Sequence, residues 1–117
     1  MLLTSKIEPI EDRQVVIKVT GSMTLGTSLK VLDAQVQNLV SNGVNTVVFD
    51  LTGVDFIDSA GLGLLMLARR LLEKRDAMLR LCGAQARVRA LLRMTKTDAL
   101  LHLDESLEDS LEAIRRN

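Results

Sequence analysis

The strongest constraint on this chain lies between residues 46 and 67, where a short apolar run leads into a glycine-bearing apolar helix. Thr46-Val47-Val48-Phe49-Asp50-Leu51 is bounded by turn residues. It reads as a strand buried on both faces, the kind that lies inside a parallel sheet. Residues 52–58 read as a loop, and residues 59–75 as a helix. Two glycines, Gly61 and Gly63, fall in the first turn of that helix, each costing up to ~1 kcal/mol relative to alanine. A backbone left bare there lets another surface approach closely. Through Leu67 the helix is apolar on almost every side, whereas an ordinary surface helix carries one apolar stripe. Part of that surface is therefore expected to be exposed, as docking patches are. The loop delivers Asp58 and Ser59 to the end of a buried strand, where α/β folds commonly place their sites.

The other elements assemble around this segment. Residues 14–20 are rich in β-branched side chains and stop at Gly21, as a strand should. A weaker strand over 2–8 and the charged turn Glu11-Asp12-Arg13 make a hairpin with it. Leu29, Leu32, Val36, Leu39 and Val40 fall at helical spacing. Thr27 or Ser28 is placed to cap that helix, and Asn42-Gly43 to end it. A strand over 77–82 ends at Gly83, and a helix at 85–94 gathers Val88, Leu91 and Leu92 on one face. A short strand is expected over 100–103. The last helix carries Leu107, Leu111 and Ile114, with Ser106 as its cap and Asp109 three residues on. The order β-β-α-β-α-β-α-(β)-α predicts one α/β domain over residues 1–117. Its central sheet is mostly parallel, edged by an antiparallel N-terminal strand and surrounded by about four helices.

Composition excludes several classes of function. Apolar residues make up 47% of the chain, enough for a packed core, yet there are two Phe and no Trp or Tyr. Nucleic-acid binding by base stacking lacks its platforms. Fifteen basic and fifteen acidic side chains cancel, so there is no cationic surplus for a phosphate backbone either. A small chain of zero net charge resists self-association weakly, which suits a docking protein and is compatible with a weak homodimer. The longest apolar or glycine stretch, Ala60 to Ala68, is nine residues, against ~20 for a bilayer span, so direct membrane insertion is not expected. The N-terminus lacks the apolar run of a signal peptide, and the single Cys82 cannot pair within the chain. Cytoplasmic residence follows as the expectation.

Catalytic and cofactor motifs are missing too. Ser59 is not in a Gly-x-Ser-x-Gly elbow, and the single His102 lies in the late strand or loop, where it reads as a surface residue. One Cys and one His at distant positions do not suggest a metal site. Cys82 reads as a small buried apolar residue. Gly61-x-Gly63 lacks the third glycine of a dinucleotide fingerprint, which would fall at Met66. No cofactor is expected, and the chain reads as a regulator, not an enzyme. Arg69, Arg70, Lys74 and Arg75 form a basic stretch late in the second helix, and Arg87, Arg89 and Arg93 another on the third. Both read as solvated faces that also suit an acidic partner.

Ser59 stands at the positive end of a helix dipole, among unpaired backbone N–H groups. A phosphate there can be held by those donors. It would also add roughly −1.5 to −2 charges beside an apolar docking surface. The same Asp58-Ser59 pair equally reads as an ordinary helix cap.

Phe56-Ile57-Asp58-Ser59-Ala60-Gly61-Leu62-Gly63, directly after Val47-Val48-Phe49-Asp50-Leu51, resembles the signature of STAS domains (sulfate transporter and anti-sigma factor antagonist). The resemblance covers the whole chain in length and order of elements. In stand-alone bacterial members the serine aligned with Ser59 is phosphorylated by a partner that is both anti-sigma factor and serine kinase, and a serine phosphatase reverses it. The resemblance implies an anti-sigma factor antagonist that binds its partner when Ser59 is unphosphorylated and frees a sigma factor for transcription. It places Asp58, Ser59, Ala60, Gly61, Leu62, Gly63 and Met66 in the partner contact. One departure concerns Gly21-Ser22-Met23-Thr24, where members often carry Gly-Glu-x-Asp. The Ser22 and Thr24 hydroxyls are expected to hydrogen-bond near Ser59, but they supply no charge. Two rival readings use the same domain: an accessory subunit of a membrane transport system, with Ser59 as a cap only, and a small-ligand or nucleotide sensor.

Overall fold

The β-branched run Val15-Val16-Ile17 anchors the strand on which the sheet is built. The computed structural model describes residues 2–116. In chain order the elements are β1 (Thr4–Glu11), β2 (Gln14–Met23), α1 (Thr27–Ser41), β3 (Thr46–Ile57) and α2 (Ser59–Glu73). Then follow β4 (Met78–Cys82), α3 (Ala86–Met94), β5 (Leu103–Asp104) and α4 (Leu107–Arg115). The sheet runs β1-β2-β3-β4-β5, with β1 antiparallel to β2 and every other pair parallel. This is the predicted architecture, four helices among the described residues included.

Sequential parallel strands joined by right-handed crossovers put their connecting helices on one face. Accordingly α1, α2 and α3 share one core with Ile17, Phe49 and Leu81, all fully buried. The opposite face is covered by α4 alone, through Ile114 on Val16, Val48 and Cys82. Where α4 does not reach, β1 and β2 show water an ionic ladder, Lys18 to Glu8 at 3.0 Å and Lys6 to Glu8 at 3.5 Å.

Two strands are longer than the sequence pattern suggests. Residues 52–57 are strand and not loop, and β2 continues past Gly21 to Met23. Register shifts between Lys18 and Thr20 and between Gly21 and Ser22 let the β2 end stay paired, Gly21 opposite Val54 and Met23 opposite Ile57. Gly53 makes room for this: a Cβ there would stand 2.9 Å from Thr20 Oγ1 and 3.1 Å from the Val19 carbonyl. Three smaller differences also have local causes. Helix α1 is capped by Gly26 without a side-chain bond, so Thr27 and Ser28 lie inside its first turn. The late strand is shifted to Leu103–Asp104, because the N–H groups of Leu100 and Leu101 turn back to the Thr97 carbonyl. Helix α2 ends at Glu73, two residues early, because the N–H of Arg75 bonds the Leu72 carbonyl and the chain turns.

The β4–β5–α4 corner is tied by one carboxylate. Asp104 accepts from Arg80 Nε at 2.7 Å and Nη2 at 2.9 Å, and from the buried Ser110 hydroxyl at 2.7 Å. The Arg80 hydrogen bonds hold the Asp104 carboxyl below its ordinary value of 3.8. A carboxyl depressed in the folded state adds stability above its unfolded pKa, and loses it as pH falls through the folded value. Asp104→Asn should therefore cost about 1–3 kcal/mol near neutrality. Urea unfolding as a function of pH should show that difference shrinking below about pH 4.

Candidate functional site

The C-terminal ends of β2 and β3 converge on the start of α2, and Asp58 is the residue that joins them. Its Oδ1 accepts from the Gly61 N–H at 2.9 Å, capping α2. Its Oδ2 accepts from the Leu25 N–H at 3.0 Å, fastening the loop between β2 and α1. The Asp58 N–H in turn donates to the Met23 carbonyl at 3.2 Å. Backbone donors at Leu25 and then Gly61 hold the Asp58 carboxyl below its usual range. One ionised side chain thus positions two loops.

With Asp58 as the cap, Ser59 is free of that duty. It is the first residue of α2, it is exposed, and among the described residues no hydrogen bond engages its hydroxyl. Of the two cap candidates in the pair, Asp58 is the one that caps α2. The Gly61 N–H, which could have held a phosphate, is already taken by Asp58.

The two glycines do different work. Gly61 is buried, and a Cβ there would collide with the Met23 carbonyl, with Ile57 Cγ1 at 2.8 Å and Met23 Cβ at 2.9 Å. Buried there, it lets α2 sit on the end of β2. Gly63 is exposed, with nothing within 4 Å of where a Cβ would stand. Helical spacing puts Ser59, Gly63, Met66 and Arg70 on one outward stripe. Asp58, Ala60, Leu62 and Met66 are half-buried. Ala60 and Gly63 also line a shallow groove against Leu29 and Asp33 of α1.

The bulky apolar side chains of α2 are not the exposed patch expected of them. Leu64, Leu65 and Leu72 are buried, Leu62, Met66 and Leu71 are half-buried with part of each packed on the core, and Leu67 is half-buried. Large apolar groups that do face water come from outside the helix: Leu25, 76% exposed and tied to Asp58 through its N–H, and Phe56, 43%, and Met94, 75%, which line a groove with Asp58. Sequence reasoning passed over all three. The available signal was Phe56, one of two aromatics in the chain.

The Ser22 hydroxyl donates to Asp55 Oδ1 at 2.8 Å, across the β2–β3 pair. A carboxylate nevertheless lies beside position 22. Thr24 is half-buried, and its hydroxyl makes no hydrogen bond among the described residues. Of the basic stretch on α2, Arg69 pairs with Glu73 at 2.8 Å while Arg70, Lys74 and Arg75 are exposed. His102 is exposed. Cys82 is buried, and desolvation pushes its thiol up to about 11, which keeps it unreactive. Among the described residues no His, Cys, Asp and Glu cluster is fit to hold a metal, and no helix is long and apolar enough to cross a membrane.

The model of one protein family, the STAS domain, matches residues 5–110. The chain belongs to the STAS domain family. Among solved structures it is similar to the anti-sigma factor antagonist SpoIIAA in its unphosphorylated form, with TM-score 0.86, 20% identity, and coverage of 97% of this chain and 98% of the other. The phosphorylated form of SpoIIAA, from Bacillus, matches with TM-score 0.78 and 19% identity over 95% and 99% of the two chains. An anti-sigma factor antagonist from Mycobacterium paratuberculosis matches with TM-score 0.86 and 25% identity over 97% and 95%. A sulfate transporter family protein from Wolinella succinogenes shares the fold, with TM-score 0.75 and 14% identity over 92% and 89%. No curated protein matches closely enough to count as a relative.

This STAS domain's two helix glycines should respond oppositely to alanine. Gly61→Ala should destabilise by about 1–3 kcal/mol, the range for overpacking. Gly63→Ala should stabilise by up to ~1 kcal/mol through helix propensity. Urea denaturation of the two variants measures both.

Proposed function

We propose that this STAS domain is an anti-sigma factor antagonist whose partner binding is gated by phosphorylation of Ser59. The carrying observation is the division of labour at the start of α2. Asp58 caps the helix, leaving the Ser59 hydroxyl exposed and unengaged for a kinase. The antagonist from Mycobacterium paratuberculosis at 25% identity, aligned over nearly the whole chain, supports the same reading.

The chemistry of the gate follows from charge. Unphosphorylated, the Ser59 end of α2 lies beside exposed apolar groups suited to a protein surface: Leu25, whose N–H bonds Asp58, and Phe56, which lines a groove with Asp58. The partner is an anti-sigma factor with serine kinase activity, and its capture frees a sigma factor for transcription. A phosphate on Ser59 adds about −1.5 to −2 charges next to the Asp58 carboxylate, which already holds the nearest helix N–H. The phosphate must then compete with Asp58 or stay in solvent. Either way the apolar surface beside Ser59 acquires a hydrated dianion, and docking there becomes costly. A serine phosphatase restores the binding form.

Titration calorimetry against the purified anti-sigma factor tests this. Ser59→Ala should bind at least as tightly as the unphosphorylated parent, and Ser59→Asp and Ser59→Glu should bind about tenfold or more weakly. Equal affinity of all the variants contradicts the gate.

A further inference from the structure

Helix α3 carries two apolar stripes, and only one is covered. Val88 and Leu92 are buried in the core. Arg87, Ala90, Leu91 and Met94 recur at i, i+3, i+4 and i+7 and so share a different side of the helix. With Phe56 they line an open groove of about 410 Å³ that runs to Asp58. Leu91 is half-buried, while Arg87 and Ala90 are exposed and Met94 is 75% exposed. A flexible methionine and an aromatic ring in water are adaptable anchors for a second surface.

Charge says what that surface is. Helix α3 holds Arg87, Arg89 and Arg93 and no acidic residue, within a chain of zero net charge. The Arg87 guanidinium lies 5.3 Å above the Phe56 ring centroid, so a cation is fixed on the groove wall. The one acid lining the groove is Asp58, whose two oxygens are occupied by the Leu25 and Gly61 N–H groups. The stripe from Arg87 to Met94 is roughly 10 Å long, two turns of helix at ~1.5 Å per residue.

We propose that this groove receives an acidic amphipathic helix of the partner protein. Its apolar anchors enter between Phe56 and Met94, and its carboxylates face Arg87 on the groove wall. The inference rests on the partner-switch reading and deepens it. Ser59 adjoins the Asp58 end of the groove, so its phosphate would repel the carboxylates of the occupant.

The test is a titration of the full chain, followed by amide NMR, with a synthetic helical peptide bearing Leu on one face and Glu on the other. The control replaces each Glu by Lys. The acidic peptide alone should give saturable shifts at Phe56, Ala90, Leu91 and Met94. Arg87→Glu, exposed and outside the core, should weaken it about tenfold. Equal binding of the Lys peptide, shifts centred elsewhere, no binding, or saturable binding to phosphatidylglycerol vesicles in its place would overturn the proposal. No anti-sigma factor enters this experiment, so a failed groove is distinguishable from a failed Ser59 gate in calorimetry.

Discussion

The Asp58 carboxylate is shared between two backbone donors that are 36 residues apart in sequence, Leu25 and Gly61. Each bond is of ordinary length, but the pair couples the β2–α1 loop to the first turn of α2. The carboxyl is held ionised by these donors, so the junction is at full strength at neutral pH. The junction fixes Leu25 on one side of Ser59 and the first turn of α2 on the other, and Asp58 itself lines the end of the α3 groove. A charge placed on the next residue, Ser59, acts at the point where the two loops are fastened.

Close approach of backbones is the second constraint. Gly61 lies against the Met23 carbonyl, and Gly53 lies against Val19 and Thr20. The first seats α2 on the end of β2, and the second lets β3 stay paired for its whole length. Both glycines lie beneath the site. Gly63, one turn along from Ser59, is the exposed one, where a bare backbone remains open to an approaching surface.

Much of the fold was legible because period and punctuation agreed. The α1 apolar positions, the glycine stops at Gly43 and Gly83, and the Ser106 cap with its bond from the Asp109 N–H all stand where the sequence puts them. The second half of β3 was not legible, since Thr52, Gly53 and Asp55 carry turn chemistry. Pairing with the bulged end of β2 overrides that local preference. Within the site, Asp58 and Ser59 could be found from sequence, but their different duties could not, because either side chain can cap a helix. The apolar surface was assigned to α2 from its composition. That surface is largely consumed by packing, and exposed apolar groups belong instead to Leu25 and to Phe56 and Met94, the last two brought into one groove only by tertiary structure.

The central claim is that Ser59 is the modified residue of a switch. Peptide mass spectrometry on the protein isolated from its native host, across growth and stress conditions, addresses it most directly. The account predicts a single phosphate on Ser59 in a condition-dependent fraction of molecules. Protein that is unmodified under every condition, or phosphorylated at another residue instead, would contradict it.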